Sequence, residues 1–144
     1  MKRLLPSALA VVLLTAAEGA DQSKKDLDQM QGNWAAESLV RDGKAFPQEE
    51  AQTYFRTVKG NTYTVVRFGK VVANGTMKLD ATKSPKTIDF TPEGSKTAPM
   101  PGIYALDGET LTQCIAMPGK PRPTKLAADP GSGMTLMVWK REKK

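Results

Sequence analysis

From Gly32 onward the chain breaks into short runs in which apolar and β-branched residues alternate with polar ones, each closed by turn residues. Eight runs are legible: 34–40, 53–58, 62–67, 71–79, 87–91, 102–106, 110–117 and 134–141. Arg41-Asp42-Gly43-Lys44, Lys59-Gly60-Asn61, Phe68-Gly69-Lys70 and Asp107-Gly108 separate several of them as tight turns. Asn74-Gly75, inside the fourth run, predicts a bulge or bend. Every proline from Pro47 on lies between the runs, as expected of a residue that cannot donate to a strand ladder. No long helical period follows residue 31. The pattern predicts an all-β fold, an eight-stranded antiparallel up-and-down barrel over residues 32–144. Closing the meander on itself buries one face and removes both edges. Strand count alone leaves a two-layer sandwich as the competing outcome.

Two segments precede the strands. Residues 20–31 are polar, with Leu27 and Met30 three apart, and Ser23 followed by Asp26 resembles a capping box. They predict a short helical lead-in lying against the barrel mouth. Residues 1–19 read as a cleavable signal peptide: Lys2 and Arg3, a largely apolar stretch to Ala17, then small residues that place the cut after Gly19, or alternatively after Ala17. No later segment is apolar enough to cross a bilayer. The expected location is therefore secreted or periplasmic, with no transmembrane segment once the signal is removed.

Composition narrows the chemistry. There is no His, which removes His-based acid–base and nucleophile pairs. Cys114 is the only cysteine and sits in the apolar run 111–117, as a small core residue would. Gly131-Ser132-Gly133 lacks nucleophile-elbow spacing, and Asp26/Asp28 and Glu49/Glu50 match no calcium loop. No catalytic residue, metal ligand or cofactor is assigned. Removal of Lys2, Arg3 and Glu18 takes the formal charge from +6 to about +5. Arg41, Lys44, Arg56, Lys59, Arg67, Lys70, Lys78 and Lys83 are spread along the hairpins, the pattern of a solvated surface. No nucleic-acid partner is expected, and the domain is expected as a monomer.

Several motifs resemble one family. Gln31-Gly32-Asn33-Trp34 and Arg41-Asp42-Gly43-Lys44 look like the opening of an uncharacterised lipocalin-like domain family known mainly from planctomycete bacteria. Lys78-Leu79-Asp80, Lys83-Ser84-Pro85-Lys86 and Ile88-Asp89 resemble its middle. Gly102-Ile103-Tyr104, Leu106-Asp107-Gly108, Leu111, Arg122-Pro123-Thr124 and Lys140-Arg141 resemble its second half. The resemblance implies a small exported barrel in which chain start meets chain end. Gly32, Trp34 and Arg141 would close it, with the guanidinium over the indole. It supplies no catalytic residues.

Within such a barrel, Trp34 facing inward puts Ala36, Ser38 and Val40 on its side. Trp34, Ser38, Tyr54, Tyr63, Val65, Ile88, Phe90, Tyr104 and Met137 are the expected lining. That aromatic, Met and hydroxyl set suits a small apolar or amphipathic ligand; the same side chains could equally fill the barrel. The leading expectation is a noncatalytic ligand-binding domain. The alternative is a protein-interaction or inhibitor module, with an envelope protein as partner, acting through loops 92–101 and 118–133.

Overall fold

The structure, a computed structural model, describes residues 16–143. Helix α1 (Ala16–Gln29) leads into β1 (Gly32–Arg41), β2 (Lys44–Ala45), the single-turn α2 (Gln48–Ala51) and β3 (Tyr54–Lys59). β4 (Thr62–Arg67), β5 (Lys70–Asp80), β6 (Thr87–Pro92), β7 (Met100–Asp107), β8 (Thr110–Ile115) and β9 (Thr135–Arg141) follow. Every adjacent pair is antiparallel, and β9 returns to pair with β1. The result is one closed ring of eight strands, with β2 a two-residue side arm on β1. A continuous ring excludes the two-layer sandwich.

Turn chemistry sets the hairpins. Between β4 and β5, Arg67 pairs with Lys70 across a two-residue loop in which Phe68 (φ 52°) and Gly69 (φ 75°) both take positive φ. That is the type I′ geometry that matches strand twist, bought here with a bulky residue in a region such residues avoid. Gly75 answers a different need. A Cβ there would sit 2.1 Å from the Thr91 carbonyl oxygen, so the close approach of β5 and β6 requires glycine. The bulge in β5 lies at Val72 instead, between the pairs Val65–Ala73 and Val66–Val71.

Proline placement departs from expectation at two positions. Pro92 is the last residue of β6 and Pro101 the second of β7. Both lie at strand ends, where the ladder tolerates a missing N–H. The connection after β1 also carries β2 and α2, elements too short to show a period.

The interior divides along the barrel axis. α1 caps the end formed by the β3–β4, β5–β6 and β7–β8 turns, the end away from the mouth where it was expected. Leu27 of α1 and Met30, just past its end, pack with Trp34, Val58, Met77, Ile88 and Leu111. Asp26 fixes the helix there: its carboxylate accepts from Tyr104 Oη (2.7 Å), Lys86 Nζ (2.8 Å) and Gln22 Nε2 (2.8 Å). Ser23 Oγ accepts from the Ala81 amide at 2.8 Å. All these contacts arise beyond residue 19. The expected signal peptide lies largely outside the described residues; α1 begins at Ala16 and runs through both expected cut sites. Among the described residues no helix is long and apolar enough to cross a membrane.

A second, smaller packing layer lies on the outer face of β7 and β8. The cross-strand partners Ile103 and Cys114 are both buried there, under the segment leading from β8 to β9. Cys114 Sγ donates to the Ala127 carbonyl (3.5 Å), and Ala128 is buried. Arg122 pins the segment, donating to the Gly102 carbonyl (2.8 Å) and pairing with Asp89 (2.7 Å).

Candidate functional site

The other half of the interior is hollow. A cavity of about 550 Å³ lies inside the barrel, reaching the β4–β5 hairpin and the start of the β8–β9 segment. Arg56, Tyr63, Phe90, Gln113 and Trp139, all buried, form the floor, and Leu39 and Ala116 are buried in the wall; Arg41, Val72, Ala73, Met117 and Gly133 are exposed and mark the mouth. Tyr54, Val65, Met100, Ile115 and Met137 supply apolar wall between them. Tyr63 and Phe90 meet edge to face, centroids 5.2 Å apart, which stiffens one side.

Five of the residues expected to line the interior do so: Tyr54, Tyr63, Val65, Phe90 and Met137. Four lie elsewhere. Ser38 is exposed on the outer face, because β1 carries an extra residue at Glu37 between the pairs Ala36–Trp139 and Ser38–Val138. One extra residue shifts the alternation by one, so Leu39, not Ser38 or Val40, returns to the inside. Ile88 is fully buried in the filled half. Tyr104 is engaged with Asp26; burial, then that hydrogen bond, pushes its hydroxyl far above the usual range. Trp34 is fully buried at the capped end, donating Nε1 to the Met30 carbonyl at 2.8 Å. The indole beneath the cavity is Trp139.

At the capped end the first strand and the last meet. Trp34 pairs with Arg141 across β1 and β9, and the Arg141 guanidinium lies 4.3 Å from the Trp34 ring centre. Arg141 also donates to the Gln31 carbonyl (2.7 Å) and to that of Gln29. Gly32 begins β1 opposite Val58, and Arg141 Nη1 would sit 3.4 Å from any Cβ placed there.

The cavity floor holds two polar residues that the sequence reading passed over. Arg56, assigned there to the solvated surface, is only 2% exposed, and Gln113 only 1%. Alternation along Tyr54-Arg56-Val58 and Leu111-Gln113-Ile115 carried the signal, since each polar residue shares a face with two apolar neighbours. Arg56 Nη1 donates to Gln113 Oε1 at 2.9 Å, and its guanidinium lies 4.6 Å from the Trp139 ring centre. Nε and Nη2 of Arg56, and Nε1 of Trp139, are buried with no partner. Among the described residues no carboxylate pairs with Arg56, and the cavity lining contains no Asp or Glu. Burial pulls the guanidinium down to about 9, still charged at neutral pH. Tyr63 moves up through burial, with Arg56 opposing.

The arrangement is thus an apolar cup with a cation and unspent donors at its base, suited to holding a molecule by one polar end. Comparison with family models, with curated proteins and with solved structures finds no match for this chain.

Proposed function

We propose that this chain is an exported, noncatalytic, monomeric lipocalin-like domain that binds a small apolar or amphipathic molecule inside its barrel. Membership of the planctomycete lipocalin-like family is part of the same reading, resting on the motifs between Gln31 and Arg141. The observation that carries the binding reading is the cavity of about 550 Å³, lined by aromatic, Met and aliphatic side chains. Small-molecule sites occupy roughly 300–1,000 Å³ and combine such a lining with a few placed polar groups. Export rests on the charged, apolar and small-residue succession of residues 1–19.

The alternative, an interaction module working through loops 92–101 and 118–133, has less support. Arg122, Ala127 and Ala128 hold the second loop against β7 and β8, so it is part of the packed body rather than a free reader.

Titration with N-phenyl-1-naphthylamine, a neutral dye that brightens in apolar surroundings, tests the reading. Saturable binding by the wild-type domain is expected, weakened about fivefold or more by Val65→Phe, which narrows the cavity, at an unchanged circular dichroism spectrum. A wild-type domain that takes up no dye sinks the proposal.

A further inference from the structure

Burying a guanidinium costs several kcal/mol unless its charge and its donors are met. Arg56 is met on one side only. Gln113 takes Nη1, and Trp139 offers its ring face; neither supplies negative charge. The two nitrogens left over are not an arbitrary pair. Nε and Nη2 form one edge of the planar fork, and their parallel N–H bonds match the two oxygens of a carboxylate. Trp139 Nε1 is a third unpaired donor on the same floor. Every unmet group there is a donor, so the missing partner is an acceptor.

Resting on the cavity reading above, we propose that the occupant is a monoanionic amphiphile whose carboxylate seats on the Nε–Nη2 edge of Arg56 while its apolar tail runs toward the mouth between Tyr63, Val65, Phe90 and Met137. Charge balance selects the head. One carboxylate neutralises the one buried cation, whereas a phosphate monoester would leave an uncompensated negative charge in an apolar cup. A neutral alcohol would meet the donors but not the charge. The mouth agrees in sign, for Arg41 stands on it and no acidic residue lines the path.

Displacement of N-phenyl-1-naphthylamine by four ligands with the same twelve-carbon chain, in wild type and in Arg56→Met, is the experiment. Dodecanoate is expected to bind wild type about 10- to 100-fold tighter than dodecanol, the gain of hydrogen bonds to a charged group. Dodecyl phosphate should bind less tightly than dodecanoate, and dodecyltrimethylammonium least. In Arg56→Met the preference for dodecanoate over dodecanol, read as the ratio of the two affinities within the variant, is expected to vanish. A wild-type readout stands beside the variant: the carboxyl of ¹³C-labelled dodecanoate should titrate at lower pH when bound than when free, because a facing guanidinium favours the ionised form.

Equal affinity for dodecanoate and dodecanol in a wild type that binds the dye overturns the carboxylate assignment and leaves the cavity reading standing. A dodecyl phosphate preference overturns it in favour of a phosphate head. Failure of wild type to bind the dye at all removes the cavity reading, and this inference with it. Should Arg56→Met not fold, an unshifted carboxyl titration in wild type still refutes the proposal.

Discussion

Asp26 and Arg56, the two buried charges among the described residues, contrast. Asp26 is fully met. Burial alone would raise its carboxyl, but hydrogen bonds from Lys86, Tyr104 and Gln22 outweigh that and hold it below the ordinary 3.8. A carboxyl depressed in the folded state adds stability above its unfolded value and loses it as pH falls through the folded one. Asp26→Asn is therefore expected to cost about 2 kcal/mol at pH 7. The gap to wild type should close as urea denaturation is repeated below pH 3.8; a gap that stays constant with pH would show that Asp26 contributes no charge-dependent stability. Arg56 is met only in part, and the opposite sign follows. Arg56→Met, a substitution of similar length without the charge, is expected to leave the empty domain as stable as wild type or about 1 kcal/mol more so. A thermal melt showing a clear loss would assign Arg56 to the packing of the floor. Neither residue's role was legible from its type. Asp26 stood in a polar stretch and Arg56 among dispersed cations, and only the face that each shares with apolar neighbours marked them.

At the scale of elements the sequence was most readable where turns are short. The strand ends that flank the β4–β5 and β7–β8 turns fall within a residue of their predicted places, because alternation and turn residues speak together there. It was least readable where one residue changes phase. Glu37 in β1 and Val72 in β5 are extra residues that no composition flags, and the first of them sends Ser38 outside. The β8–β9 segment, rich in proline and glycine, reads as a loop but packs as a cover over Ile103 and Cys114. That cover makes a prediction about Cys114, a buried thiol pushed up by its burial and so doubly slow to react. Arg122→Ala removes the contacts to Gly102 and Asp89 that pin the segment. Native Cys114 should then be modified by a thiol reagent at least about tenfold faster than in wild type, at nearly unchanged global stability. Equal rates would mean that Ala128 and its neighbours hold the cover without Arg122.

For the whole molecule the decisive contact joins residues about a hundred positions apart. β1 and β9 share seven residue pairs, and only their union turns a meander with two open edges into a ring. The carbonyls of Gln29 and Gln31, at the exit from α1, are left over by the helix and by the start of β1; Arg141 satisfies both while covering the Trp34 indole. One side chain thereby ties helix cap, first strand and last strand together. Geometry, not charge alone, does this, since the planar fork reaches two carbonyls and stacks at once. Arg141→Ala is expected to destabilise the domain by about 2–3 kcal/mol in urea denaturation, and Arg141→Lys to recover less than half of that. Where the loss falls is the sharper test. Global destabilisation lowers the hydrogen-exchange protection of every core amide alike, whereas opening of the seam lowers it further only along the seam. Extra loss is expected in residues 34–41 and 135–141, with β5 and β6 showing the global decrement alone. Uniform loss across all strands, or full rescue by lysine, would mean that Arg141 adds stability without closing the ring, and that the pairing of β1 with β9 holds by its backbone ladder alone.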